Sequence, residues 1–486
     1  MAADSPQVLG TKSIGKLLVE YSVPAVIASV VTSLYNIIDS IFIGQGVGPL
    51  AITGLALTFP MMNLLIAFVM VIAVGGATVT SIYLGQKDNE RASNALGTVL
   101  ILCVIHSFVF GGLSIWLLDD ILRLFGATDR TLPYAREFMQ IILMATPVSF
   151  VFIGLNNMMR ATGYPRKAMI SALLSVGVNV ILCPIFIFSM KLGIKGAAMA
   201  TVSGQSVACI WVLSHFFSRK SFINFHKITR WFTGSIAKMV YTIGLSPFLI
   251  NVCACIVVMF INKSLITYGA DEGDMAVGAF GIVNRVTMLF LMIVMGVTQG
   301  MQPILGYNYG AGKWDRVKRC LRLGIYVGSV ITILGFLVTE IFPEQVTRLF
   351  TDDAVLIRHS IAGFHIILLC YPVIGAAIVI QNFFQSIGKP QLSIFLSMTR
   401  QLIYLLPLLW LLPRQWGIDG VWASMAGSDF LSFVTTIVTL WVVMKTLPVP
   451  LTAYHRLSLC HWYPVRKSYR PTGLYKSYFH FRIQSW

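Results

Sequence analysis

Twelve apolar segments of helix length divide this 486-residue chain, at about 17–43, 51–84, 94–118, 134–161, 168–189, 194–217, 236–268, 275–309, 317–341, 355–386, 391–412 and 418–444. A membrane-crossing helix needs roughly 20 apolar residues, whereas an outer-membrane strand needs roughly ten with alternating polarity. Hydrophobic residues make up 56% of the chain and charged ones 11%, against roughly 25% charged in a soluble chain. No soluble fold of this length could bury that much apolar surface. The expected fold class is therefore an all-α membrane protein with twelve transmembrane helices. Segments longer than 20 residues imply tilt or extension beyond the bilayer. The polar residues 1–16 and a first apolar run too long for an h-region predict no cleavable signal peptide.

The net charge of +17 raises the question of a nucleic-acid partner, and its distribution answers against one. With twelve spans, loops alternate between two sides. The side of both termini holds 25 of the 36 Lys and Arg and the opposite loops hold 8, so the positive-inside rule puts both termini in the cytoplasm. Acids collect opposite: Asp119, Asp120, Asp129, Asp271, Glu272, Asp274, Glu344, Asp352 and Asp353. The eight cysteines are scattered, most within apolar runs, and read as small buried residues rather than a disulfide or metal framework. No Ser/His/Asp, HExxH or metal-spaced cluster is present in the sequence, so neither an enzyme nor a bound cofactor is expected.

The chain also repeats. The glycine run 75–85 lies over 300–310 at an offset of 225, Gly163 and Pro165 over Gly388 and Pro390 at the same offset, Gly193 and Gly196 over Gly417 and Gly420 at 224, and Pro24 over Pro247 at 223. Six helices separate matching positions, an even number, so the halves share one orientation: a parallel repeat about an axis along the membrane normal. The expected domains are a cytoplasmic N-terminus (1–16), an N-lobe of helices 1–6 (17–217), a cytoplasmic linker (218–235), a C-lobe of helices 7–12 (236–444) and a basic, aromatic cytoplasmic tail (445–486) to which no function is assigned. Two lobes around a cavity make an alternating-access transporter the default; no ring of carbonyls or charges typical of a channel is visible.

One acid, Asp39, stands late in the first apolar segment. A carboxylate in hydrocarbon costs roughly 2.5–3.5 kcal/mol on insertion scales, so it is protonated, paired or facing water, and each state suits exchange of a proton or cation. The plainer reading is a hydrated carboxylate near the outer interface.

The pattern Gly300-x-Gln302-Pro303-x-x-Gly306-x-Asn308-x-Gly310, together with the stretch 160–165 and Gly193-Ile-x-Gly196, resembles the multidrug and toxic compound extrusion (MATE) family over about 15–445. An acid in helix 1 and none in 251–258 of helix 7 make it most similar to the DinF-like and MepA-like bacterial branch. The resemblance implies a multi-pass protein of the bacterial inner (plasma) membrane, working as a monomer in the lipid bilayer, that exports lipophilic, often cationic small molecules. The energy source would be a proton or sodium gradient.

The family's N-lobe site matches Asp39, Asn179 and Thr201. At about 1.5 Å per residue, all three fall roughly 8–13 Å from the outer surface, so one site is feasible; for Asn179 and Thr201 ordinary interhelical hydrogen bonding is the plainer alternative. Many relatives carry a second acid where this chain has Cys183. A thiol stays protonated near neutral pH (its ordinary pKa is ~8.5) and supports sodium poorly, so proton coupling through Asp39 is expected, with sodium coupling and a flippase for a lipid-linked or amphiphilic metabolite as alternatives. Tyr35 and Asn36, three or four residues before Asp39, and Gln205, four after Thr201, are candidate cavity residues. Met158, Met159, Met288, Met292 and Met295 are candidates for adaptable drug contacts, although most methionines are expected to pack or face lipid. Pro24 can bend helix 1. In the C-lobe, Arg285, Arg400 and Asp429 fall near mid-membrane, and Asp429 is expected to pair with one or both arginines.

Overall fold

The computed structural model describes residues 6–47, 49–125, 127–269, 272–351 and 353–446; the tail expected at 445–486 lies outside them from 447 on. No strand occurs among the described residues. The helices are α1 (Ile14–Gly46), α2 (Pro49–Gly85), α3 (Asn89–Trp116), α4 (Leu118–Leu124), α5 (Leu132–Met144), α6 (Thr146–Ala161), α7 (Pro165–Pro184), α8 (Ile194–Phe217), α9 (Gly234–Tyr268), α10 (Gly273–Gly310), α11 (Trp314–Ile341), α12 (Pro343–Arg348), α13 (Ala354–Ile367), α14 (Tyr371–Ser386), α15 (Pro390–Met398), α16 (Leu405–Leu411) and α17 (Pro413–Thr446). Eleven helices or helix runs among these are long and apolar enough to cross a membrane. The pair α5–α6, bent by 57°, makes the twelfth.

The two halves end and restart their helices by the same devices. Gly163 and Gly388 both take positive φ (103° and 73°), and Pro165 and Pro390 open the next helices. Glycine reaches the left-handed conformation that closes a helix, and proline suits a first helical turn. The closing bonds match too: Tyr164 N–H donates to the Met159 carbonyl at 3.1 Å and Lys389 N–H to that of Phe384 at 2.9 Å. Positive φ recurs at Lys87 and Gly312 and at Gly193 and Gly417, the offsets seen in the sequence. The repeat is thus written in the backbone, and the molecule is two six-helix lobes.

Four helices stand out by length: α1, α2, α9 and α10 have 33, 37, 35 and 38 residues, about 50–57 Å each at 1.5 Å per residue. They are the first two of each lobe, and they join the lobes, α1 against α10 and α2 against both α9 and α10. The joints are glycine contacts. A Cβ on Gly244 would collide with the Val71 carbonyl, on Gly75 with that of Val240, on Gly310 with that of Ile82 and on Gly85 with that of Tyr307; Gly296 and Gly300 lie against Val26 and Ser22. Every one of these positions lies in the half of its helix nearest the face that carries the basic loops. The ring pair Phe68–Phe248, with centroids 5.1 Å apart, is near mid-helix.

Beyond that pair the lobes separate. One apolar core runs through the N-lobe and the basic-face half of α10, α11 and α14; a second, with Phe280, Phe364, Leu409 and Trp422, fills the acidic-face half of the C-lobe alone. Among the described residues no ion pair joins the lobes on the acidic side. Among the described residues, the contacts that join the lobes lie from mid-helix to the basic face, so a cleft between the lobes would open toward the acidic one.

Candidate functional site

Asp39 sits on the acidic-face half of α1, whose neighbour inside the N-lobe is α7. Helical spacing puts Tyr35 one turn before it on the same face, and α7 presents Asn179 and Cys183 at the same four-residue interval. The result is two rungs between the helices. In one, the Cys183 Sγ–H donates to Asp39 Oδ1 at 3.2 Å. In the other, Asn179 Nδ2 donates to Thr201 Oγ1 of α8 at 3.0 Å and to the Tyr35 hydroxyl at 3.4 Å, and the Tyr35 and Thr201 hydroxyls are 3.0 Å apart. Thr201 also donates to the Ala197 carbonyl, 3.1 Å away. Asp39, Asn179 and Thr201 are 6%, 3% and 8% exposed and Cys183 is fully buried. No cation lies within ion-pair distance of Asp39 among the described residues. The carboxylate's one direct partner is the thiol, not the amide or hydroxyl that depth alone suggested.

The other candidates are spread more widely. Gln205, half-buried, accepts a hydrogen bond from Ser149 of α6 and so closes a contact inside the N-lobe. The Asn36 side chain lies outside those described. Met158 and Met159 are fully buried in the N-lobe core, where the Met158 sulfur accepts from Thr80 of α2 at 3.4 Å; the cavity role considered for them is corrected. Met288 and Met295 are exposed and Met292 is half-buried, all on α10. Pro24 is buried within a continuous α1, beside the points where Ser22 and Val26 meet α10.

In the C-lobe, Arg400 Nε donates to Asp429 Oδ1 at 2.5 Å, and Asp429 is 7% exposed. Arg400 stands on a π-helical turn, 399–404, between α15 and α16. Such a turn inserts an extra residue and re-aims side chains; here it faces Arg400 toward α17, where Tyr404 and Thr435 also bond at 2.8 Å. Arg285 does not join this pair. It is exposed and bonds to no described residue.

The glycine-rich stretch of α10 proves to be the joint between lobes. Gln302 donates to Thr78 Oγ1 at 2.8 Å and to the Val74 carbonyl at 3.2 Å. Asn308 donates to the Leu9 carbonyl at 2.9 Å and accepts from Arg316 Nε at 2.8 Å. Arg160 of α6 crosses to Gln299 and is held by Asn157 Oδ1 at 3.0 Å.

The sequence profile of the MatE family matches residues 24–185 and 243–411, one block in each lobe and together more than half of the chain. The chain belongs to the MatE family. Among curated relatives, the multidrug export protein MepA of Staphylococcus haemolyticus is 25% identical over 423 residues, which are 87% of this chain and 92% of that protein. The MepA of Staphylococcus aureus strain N315 is 23% identical over 444 residues, covering 89% and 95%. Among solved structures, the MATE multidrug transporter DinF-BH, in a ligand complex, is 36% identical with a TM-score of 0.83, covering 91% of this chain and 98% of that one. A multidrug resistance MATE family transporter in an outward-facing conformation is 25% identical, also at 0.83, covering 92% and 98%.

The joint is also what sequence reasoning missed. Gln299 and Gln302 were visible as polar residues in an apolar run, but their partners Arg160 and Thr78 lie 139 and 224 residues away. Family membership makes the chain a multi-pass bacterial membrane transporter rather than an enzyme, acting on small molecules.

Proposed function

We propose that this chain is a secondary active multidrug exporter, moving lipophilic compounds, cations among them, out of the cell in exchange for protons. The observation that carries the reading is Asp39: a buried carboxylate with a neutral thiol as its direct partner and, among the described residues, no cation within ion-pair distance. In hydrocarbon such a group is stable as the neutral acid and needs water or a cation when ionised. Its charge therefore depends on whether its surroundings are dry or open. The basic face, by the positive-inside rule, is cytoplasmic, so the open cleft faces outward.

In this cycle a proton arriving from outside neutralises Asp39 and lets the outer half of α1 settle against α7. Loss of the proton inside restores the charge. Pro24 supplies a hinge, because it lacks the amide that would bond to the Glu20 carbonyl, and it stands between Ser22 and Val26, where α1 meets α10. Sodium is the weaker choice, since hard cations prefer oxygen donors and a sulfur occupies the place beside the carboxylate. The lipid-linked flippase reading loses Arg400, which Asp429 already neutralises. A single copy contains both lobes and the cleft, which supports a monomer as the working unit.

The test is export from proteoliposomes driven by an imposed proton gradient. Wild type extrudes a lipophilic dye and Asp39→Asn does not. Gradient-driven export by Asp39→Asn at wild-type rate would remove Asp39 from the cycle.

A further inference from the structure

Among the described residues of the four long helices, Arg285 is a charge near mid-membrane that bonds to no described residue. On α10, Arg285, Met292, Gly296, Gln299, Pro303 and Gly310 fall within an arc of about 60° at 3.6 residues per turn. The lower members of this face touch the N-lobe: Gly296 lies against Val26, Gln299 bonds to Arg160 and Gly310 lies against Ile82. The C-lobe core takes the opposite side of the same helix, through Ala276, Phe280 and Val283. Arg285 is thus aimed at the N-lobe, above the level where the lobes part, and not at lipid. It stands about three turns from the acidic-face end of α10, exposed, with no bond to a described residue.

Nothing charged faces it at that depth among the described residues. Helix α2 has no charged residue at all, and the repeat places Pro60 opposite Arg285. Asp39 of α1 is turned into the N-lobe against Cys183. The lysines of α9, Lys238 and Lys263, lie near its two ends. Around the guanidinium the wall is apolar, with Met288 and Leu289 exposed beside it. A guanidinium in such a setting holds either water or an anionic group, and its planar fork matches a carboxylate.

We propose that Arg285 is the charge-reading residue of the cleft, and that the cleft takes amphiphiles bearing an organic acid group, zwitterions with a lipophilic cation included. The Met288 and Leu289 surface takes the apolar body and Arg285 the acid. The proposal rests on the export reading for its biological use, but binding tests it separately.

Two xanthene dyes that differ in one group make the test: a rhodamine ethyl ester with only positive charge, and its free acid, which adds a carboxylate. Binding of each to the purified full-length protein is read by fluorescence polarisation for wild type, Arg285→Gln and Arg285→Lys. The preference for acid over ester is expected to fall about tenfold in Arg285→Gln, the loss of one charge-assisted hydrogen bond, and to be partly kept in Arg285→Lys. A preference unchanged in Arg285→Gln overturns the proposal, as does failure of wild type to bind the free acid. Efflux separates the two readings. Cells that extrude the ester while binding shows no role for Arg285 leave export standing and this inference lost. An Arg285-dependent preference in binding, without extrusion of either dye, sinks export and leaves the site.

Discussion

Asp39 and Asp429 are the same side chain at nearly the same burial, 6% and 7% exposed, one in each lobe, and they meet partners of different charge. Asp429 meets the Arg400 guanidinium, so the pair is neutral without a proton and holds α17 to the turn between α15 and α16. Asp39 meets a thiol, so it is neutral only when protonated. Burial by itself does not mark a working carboxylate. The charge of its partner decides whether it is a fixed tie or a group whose state changes.

The sharpest way to break this contrast is to remove each charge in turn. Asp39→Asn should abolish gradient-driven export while leaving the melting temperature close to wild type, because an amide fits the same neutral contact with Cys183. Asp429→Asn should do the reverse and lower stability by about 3 kcal/mol, the low end for a broken buried pair because the Arg400 side chain is 31% exposed. Expression and thermal melting read this directly, and replacing both partners, as Arg400→Met with Asp429→Leu, should recover most of the loss. If the double variant melts no higher than the single one, the pair is not a simple tie.

The lobe joint offers the next test. Gly244→Val places a side chain against the Val71 carbonyl and should weaken the closed basic face by about 1–3 kcal/mol. A cysteine introduced at Gln299 should then become reactive from the basic side; unchanged reactivity would mean that the joint yields elsewhere.

Cys183 sharpens the comparison inside the N-lobe. Cys183→Ser keeps a neutral donor beside Asp39 and should change export by less than about tenfold, within roughly 1 kcal/mol. Cys183→Asp adds a second acid and should make export respond to sodium. A sodium response already present in wild type would count against the proton reading.

The smallest effect belongs to Glu272, at the acidic-face end of α10. It accepts from His359 Nε2 and from Arg358, both at 2.7 Å. These bonds, that of His359 first, hold its carboxyl below the usual glutamate range. A lowered folded-state pKa stabilises above the unfolded value, about 4.3, and the contribution fades as pH falls through the lowered folded value. Melting of wild type and Glu272→Gln should therefore differ slightly at neutral pH and converge in acid. A gap that widens as pH falls would reverse the assignment.

Position along the helix axis was legible from residue numbers. The spans, the 225-residue repeat, the shared depth of Asp39, Asn179 and Thr201, and the meeting of Asp429 with an arginine all follow from a fixed rise of 1.5 Å per residue and from the cost of leaving a charge alone in hydrocarbon. Rotation about the axis was not. Asn179 and Cys183 share a face, and only the packing of α1 on α7 brings the carboxylate to the sulfur rather than the amide. Met158 and Met159 look like cavity residues in a list and are core residues in space. Arg285 and Arg400 have similar depths, yet one is exposed and bonds to no described residue, and the other, on a π-helical turn, meets Asp429.

The chain by itself thus determined an all-helical, twice-repeated membrane protein with the acid Asp39 late in its first apolar segment, because hydropathy and helical rise act along the sequence. Which partner each charge meets, and which end of the cleft is shut, was decided by tertiary packing. Those choices depend on how glycine faces let helices from different lobes approach, a contact between residues far apart in the chain.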